Sequence, residues 1–224
     1  MKYKTCISIG ENTPEKIRSK LKVALKKSDY VEIRLDFLKS EQIPKTLEII
    51  KKDLNKVVCT LRPKTEGGKF AGNEKERISI IKLIAEYNPF LLDIEFNTLN
   101  KNKELFRYLK STKTQLLVSW HDFKKTPKNS ELKNKIKQMS KFSTNVKIVS
   151  TAKSTDDSTR MLELYNNKGK NNLISFAMGD FGRISRILCL YLGSPYTYVS
   201  LGKAIAPGQF SVDEVKKIIN LKKN

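Results

Sequence analysis

The chain has a single histidine, His121, which follows the apolar run Leu116-Leu117-Val118-Ser119-Trp120 at the point where a strand would release the chain. An imidazole with an ordinary pKa of about 6.5 both takes and gives a proton near neutrality. His121 therefore reads either as a general base or as a hydrogen-bonded structural residue at a strand end. Lys147 lies inside Val146-Lys147-Ile148-Val149, which otherwise reads as a buried strand. Desolvation disfavours an ammonium and leaves more free amine, and a free amine attacks a ketone or aldehyde to make an imine. The alternative is a side chain that snorkels past a strand edge to water. Glu32 and Arg34 alternate with Val31, Ile33, Leu35 and Phe37, so two opposite charges share one strand face, as in a polar pocket that pairs them with a ligand. Arg62 closes the run Val57-Val58-Cys59-Thr60-Leu61, and Glu66 follows in Lys64-Thr65-Glu66-Gly67-Gly68. A carboxylate there can orient a histidine or stand as a solvated loop acid.

These residues need a scaffold, and periodicity supplies one. Apolar runs at residues 5–10, 30–37, 57–62, 90–96, 115–120, 146–150, 173–177 and 197–201 read as strands, each followed by a helix-compatible stretch. Thr13-Pro14 opens a helix with Ile17, Leu21, Ala24 and Leu25 on one side. Asn73 with Glu76, and Ser211 with Glu214, resemble capping boxes, the second ahead of the stripe Val215, Ile218 and Ile219. Eight units in 224 residues leave 28 residues each, enough for one strand, one amphipathic helix and two short loops. The pattern predicts an α/β fold, a (β/α)8 TIM barrel in a single domain over residues 1–224, ahead of an open doubly wound sheet. In such barrels the chemistry gathers at the carboxyl ends of the strands.

Composition narrows the function classes. With 39% hydrophobic and 30% charged residues the chain is a globular one, not a disordered one. Its 44 Lys and Arg against 23 Asp and Glu give +21, which first suggests nucleic acid. The lysines are spread over every predicted helix, however, and not interleaved with exposed aromatics, which fits a solvated surface and no specific nucleic-acid partner. No run approaches the roughly 18 apolar residues a membrane span needs. Residues 1–10 are too short and lysine-dotted for a signal peptide, so a cytoplasmic location is expected. Cys6, Cys59 and Cys189 lack metal-ligand spacing and sit among apolar residues, as reduced core thiols do.

Five stretches together, Glu32-Ile33-Arg34-Leu35-Asp36, Arg62-Pro63-Lys64-Thr65-Glu66-Gly67-Gly68, Ser119-Trp120-His121-Asp122-Phe123, Val146-Lys147-Ile148 and Ala206-Pro207-Gly208-Gln209, resemble the type I 3-dehydroquinate dehydratases. The resemblance runs from Ser8 to Gln209 with the motifs in the family's order. It implies a (β/α)8 barrel, usually a homodimer, that converts the small-molecule substrate 3-dehydroquinate to 3-dehydroshikimate in the shikimate pathway without a metal or organic cofactor. By the same resemblance Lys147 is the imine-forming amine, His121 the proton shuttle and Glu66 the carboxylate that orients it. Glu32, Arg34, Arg62 and Ser8 are placed around the ring hydroxyls, Arg186 and Gln209 at the substrate carboxylate, and residues 200–209 in a loop that closes over the site. Two positions depart from the pattern. Ile205 stands where some members carry a serine that contacts the carboxylate, and Trp120 where many have tyrosine, expected here to pack at the barrel mouth. Another imine-forming barrel enzyme, such as a class I aldolase, and a basic RNA-binding module remain the competing readings.

Overall fold

Local sequence starts the helices as expected. The Thr13 hydroxyl accepts from the Lys16 N–H at 3.3 Å and Pro14 begins the helix. The Asn73 side chain accepts from the Glu76 N–H at 2.9 Å. Ser211 and Glu214 make a complete capping box: Ser211 N–H donates to Glu214 Oε2 at 2.7 Å and Glu214 N–H to Ser211 Oγ at 3.2 Å. The computed structural model describes residues 3–202 and 204–220. In chain order the elements are β1 (Thr5–Ile9), α1 (Pro14–Lys27), β2 (Tyr30–Arg34), α2 (Ile43–Ile50), β3 (Val57–Thr60), α3 (Glu74–Glu86), β4 (Leu91–Glu95), α4 (Phe96–Lys101), α5 (Lys103–Ser111), β5 (Leu116–Asp122), α6 (Asn129–Met139), β6 (Asn145–Thr151), α7 (Thr155–Glu163), β7 (Asn172–Met178), α8 (Ser185–Tyr191), β8 (Thr197–Ser200) and α9 (Val212–Asn220).

The strands form one eight-stranded sheet in the order β7-β6-β5-β4-β3-β2-β1-β8. From β1 to β7 each strand neighbours its predecessor in the chain, and β8 lies beside β1, the connectivity of the (β/α)8 class. Packing divides the chain into two compact units, Ser8–Val118 and a second made of Ser119 onward with the start of the chain up to Ile7.

In the Ser8–Val118 unit the parallel register pairs Glu32 with Val58, Arg34 with Thr60, and Thr60 with Asp93. Side chains alternate along a strand, so Glu32, Arg34, Thr60, Asp93 and Glu95 share one face. The other face carries Val31, Ile33, Cys59, Leu92 and Ile94, all fully buried. Covering both faces of a parallel sheet requires this, and only the polar face is free to hold a ligand.

In the other unit Lys147 pairs with Ile174, Val149 with Phe176 and Thr151 with Met178. The intervening Ser175 faces α7, where its hydroxyl donates to the Met161 carbonyl at 2.7 Å. Lys147, Val149, Ile174 and Phe176 therefore project from the side away from the helices.

Several boundaries differ from the sequence reading. The second strand stops at Arg34, because residues 35–37 turn into a 3-10 segment in which the Asp36 carboxylate takes both Arg34 Nε and Nη2 at 2.8 Å and the Lys69 N–H at 2.9 Å. The third stops at Thr60, two residues short of Arg62. The fifth runs on to Asp122, so His121 lies within the strand, where Thr151 Oγ1 donates to the Asp122 carbonyl at 3.1 Å. Trp120 does not pack at a barrel mouth: it lines a cleft against α6 with Leu132, and Lys135 Nζ lies 5.5 Å above its ring. In the last helix Val212 and Val215 are buried, whereas Ile218 and Ile219 are only half-buried. All three cysteines are free and buried, and no helix among the described residues is long and apolar enough to cross a membrane.

Candidate active site

In the unit that begins at Ser119, Lys147 is 6% exposed, and its Nζ lies 4.2 Å from the centroid of the Tyr198 ring. Its stem does not snorkel to water. Tyr198, on β8, is held edge-on by Tyr196 with ring centroids 5.4 Å apart, so an aromatic pair stands on one side of the amine.

His121 is half-buried, and its ring stacks on Phe123 with centroids 5.9 Å apart. Its neighbours Trp120 and Asp122 both face the α6 cleft. Alternation then directs His121 to the side away from α6. Amine and imidazole thus lie on adjacent strands, each on the face turned from the helices.

Arg186, on α8, is 2% exposed and donates from Nη2 to the Pro207 carbonyl at 2.9 Å. Its guanidinium carbon lies 4.3 Å from the centroid of the Phe176 ring. Among the described residues it has no carboxylate partner, and its buried Nε has no hydrogen-bond acceptor. Burial pushes this guanidinium down to about 10. A buried cation left without a counter-ion is costly, and an anionic ligand would supply both the charge and the missing acceptor. Gln209 is buried, with its Oε1 accepting from the Ile205 N–H at 3.2 Å. Lys203, within the 200–209 segment expected to close over the site, lies outside the described residues.

In the Ser8–Val118 unit, Ser8 lies on β1, Glu32 and Arg34 on β2, and Arg62 just beyond β3. Ser8 and Glu32 are buried, and Glu32 Oε1 accepts from Thr60 Oγ1 at 2.9 Å. Arg62, 3% exposed, donates from Nη2 to Asp93 at 2.6 Å and from Nη1 to Glu95 at 2.7 Å. Both acids hold its guanidinium charged, well above the ordinary arginine value.

Glu66 sits on a tight turn in which Glu66 N–H and Gly68 N–H both donate to the Pro63 carbonyl, at 3.0 and 2.9 Å, and Phe70 N–H donates to the Arg62 carbonyl at 3.3 Å. A Cβ at Gly68 would fall 1.9 Å from that carbonyl oxygen, so only glycine fits there. The Glu66 carboxyl, with Asn97 Nδ2 at 3.3 Å, is raised to about 7, first by burial and then by the charge of Glu95, against the lowering pull of Arg62. A carboxyl so tuned exchanges its proton near neutrality.

The structure brings Lys147, His121, Arg186 and Gln209 into one unit, and Ser8, Glu32, Arg34, Arg62 and Glu66 into the other. Reading the sequence did not find Asp36, Arg77, Asp93, Glu95 or Tyr198. Asp93 and Glu95 carry the same signal as Glu32 and Arg34, charges at alternate positions in an apolar run. Arg77, a charge on the buried side of a helix, has no such signature. Among the described residues no group of three or more His, Cys, Asp and Glu side chains is placed to hold a metal ion.

The (β/α)8 connectivity, with an amine, an imidazole and a buried guanidinium on or against its sheet, defines the barrel class whose chemistry gathers at the carboxyl ends of the strands. The sequence model described as type I 3-dehydroquinase matches residues 5–224, and the chain belongs to that family. It is 35% identical over 224 residues to the 3-dehydroquinate dehydratase of Methanocaldococcus jannaschii, covering 96% of this chain and 97% of the relative. The crystal structure of 3-dehydroquinate dehydratase from Aquifex aeolicus VF5 matches with a TM-score of 0.80 and 27% identity, covering 97% of both chains. The enzyme of that name from Geobacillus kaustophilus shares the fold at a TM-score of 0.90 with 24% identity, over 100% of this chain and 92% of the other.

Proposed function

We propose that the chain dehydrates 3-dehydroquinate to 3-dehydroshikimate, a step of the shikimate pathway, through an imine on Lys147 with His121 moving the proton. The observation that carries this reading is the enclosed Lys147 amine on the same sheet face as the Phe176 ring that underlies the acid-free Arg186 guanidinium. Phe176 is level with Val149, two residues beyond Lys147, or roughly 7 Å along the strand. That spacing suits a ring-sized substrate that offers a ketone to one group and a carboxylate to the other.

The amine attacks the C3 ketone, and loss of water leaves a protonated imine. The imine draws electrons from the adjacent C2–H bond, so a base as mild as imidazole removes that proton. His121 returns the proton to the C1 hydroxyl, which leaves as water while the C1–C2 double bond forms. Water then hydrolyses the product imine and frees Lys147. Glu66, which the family resemblance makes a carboxylate of the site, has its carboxyl raised to about 7, which suits a group that exchanges a proton near neutrality. Arg186, assisted by Gln209, clamps the carboxylate, since a planar guanidinium matches it bidentately. Ser8, Glu32, Arg34 and Arg62 address the ring hydroxyls. The reading requires no metal or organic cofactor. It extends to a cytoplasmic homodimer with no specific nucleic-acid partner, in which the lysine-rich surface serves solubility.

Incubation with 3-dehydroquinate should produce a conjugated enone absorbing in the ultraviolet. Borohydride reduction with substrate present, followed by mass spectrometry, should locate a single adduct on Lys147. Lys147→Ala should lose both turnover and adduct; an adduct that survives in this variant would move the imine to another lysine and overturn the reading.

A further inference from the structure

Arg77 stands out among the buried groups that the proposed mechanism leaves unused. It belongs to α3, yet it is 1% exposed. Its Nη1 donates to Glu95 Oε2 at 2.8 Å and to the Leu61 carbonyl at 3.2 Å, and its Nη2 donates to Thr98 Oγ1 at 2.5 Å. Its Nε and Nη2 also fork onto the Glu74 carboxylate at 2.9 Å each. The other oxygen of Glu95 is the one that accepts from Arg62. A single carboxylate, 1% exposed as a side chain, thus bridges two buried guanidiniums, one rooted in α3 and the other just beyond β3.

Stability gives a poor reason for such an arrangement. Burying ion pairs roughly breaks even against apolar residues of the same volume, and four charged groups, Arg62, Arg77, Asp93 and Glu95, are buried together here. What the bridge does provide is direction. With each oxygen committed to a different guanidinium, the Glu95 carboxylate cannot rotate without breaking a charge-assisted bond. Asp93, two residues earlier on the same face of β4, holds the other terminal nitrogen of Arg62. The guanidinium plane of Arg62 is then fixed by a frame whose outermost post is Arg77.

We propose that Arg77 is a positioning residue, holding Arg62 in its substrate-facing pose through the Glu95 bridge without touching substrate itself. This rests on the assignment of Arg62 to the substrate's ring hydroxyls. A group that acts this way controls substrate binding more than the proton transfers at Lys147 and His121. Losing it should therefore affect KM before kcat.

The test compares Arg77→Met, Arg62→Lys and the double variant in steady-state assays with 3-dehydroquinate. Arg77→Met should raise KM by about tenfold or more, the size of one weakened charge-assisted contact, while kcat stays within about threefold. The double variant should be no worse than Arg62→Lys alone, because the frame has nothing left to position. Independent, multiplying losses would overturn the proposal, as would a lowered Tm with KM unchanged. If Arg77→Met does not fold, Glu95→Gln carries the same readouts, since it keeps the side-chain volume and removes the charge that joins the two arginines. A parent protein inactive on 3-dehydroquinate would instead refute the proposed function, so the two failures are distinguishable.

Discussion

Replacing Arg186 with methionine should move stability and affinity in opposite directions. Lowering a guanidinium from its ordinary value to about 10 by burial corresponds to about 3 kcal/mol against the charged form, at about 1.4 kcal/mol per tenfold. That cost falls on the empty protein at every pH below about 10, because arginine is charged in the unfolded chain throughout that range. The Pro207 carbonyl and the Phe176 face return part of it. Methionine keeps a sulfur-to-ring contact with Phe176 and gives up a charged hydrogen bond of about 1.5–3 kcal/mol. The expected balance is a gain of about 1 kcal/mol, or about 2–4 °C in Tm for a chain of this size. Substrate should suffer, because two charged hydrogen bonds to its carboxylate disappear, about 3 kcal/mol or more, and KM should rise on the order of a hundredfold. Thermal unfolding without ligand and steady-state kinetics read the two effects separately. A Tm lowered by several degrees would show that the guanidinium already stabilises the empty fold. Together with an unchanged KM, that result would refute its role as an anion clamp.

His121→Ala should still yield the borohydride-trapped adduct on Lys147 while turnover collapses by about a hundredfold or more, the usual worth of a positioned proton carrier; near-normal turnover would remove the shuttle role. Glu66→Gln should change how stability depends on pH. The folded carboxyl titrates at about 7 and the unfolded one near 4.5, so the parent loses stability as pH rises through that window and levels off above it. Urea midpoints should therefore show the parent falling relative to the variant between pH 4.5 and 7, and a constant difference would contradict the raised value. Ile205→Ser should tighten substrate binding if the carboxylate lacks a contact there, and unchanged affinity would show that Arg186 and Gln209 suffice.

Much of the scaffold could be read from periodicity because the strands are largely buried on both sides and several helices open on a recognisable cap, as at Thr13, Asn73 and Ser211. Boundaries slipped where a side chain overrode the pattern. Residues 35–37 continue the alternation of β2 in sequence, yet Asp36 reaches back to Arg34 and turns the chain. His121 and Lys147 were visible as single polar residues in apolar runs. Arg186 was legible only through the family resemblance, since a helix arginine by itself reads as a surface residue until the ring of Phe176 and the Pro207 carbonyl are seen to enclose it. Arg77 escaped for the same reason: beyond its neighbour Glu74, the partners that enclose it are 16 to 21 residues away along the chain.

The turn that carries Glu66 leaves almost no room for redesign. Its backbone is laced to Pro63 and Arg62, and a bridge joins Pro63 to Phe70, so its order exists before any substrate arrives. Immobilising a flexible segment costs about 1–2 kcal/mol per residue, a charge that a loop frozen on binding would deduct from affinity and that this one settles during folding. Efforts to widen substrate scope by lengthening or randomising residues 63–70 should therefore lose the acid's aim well before they gain a new pocket.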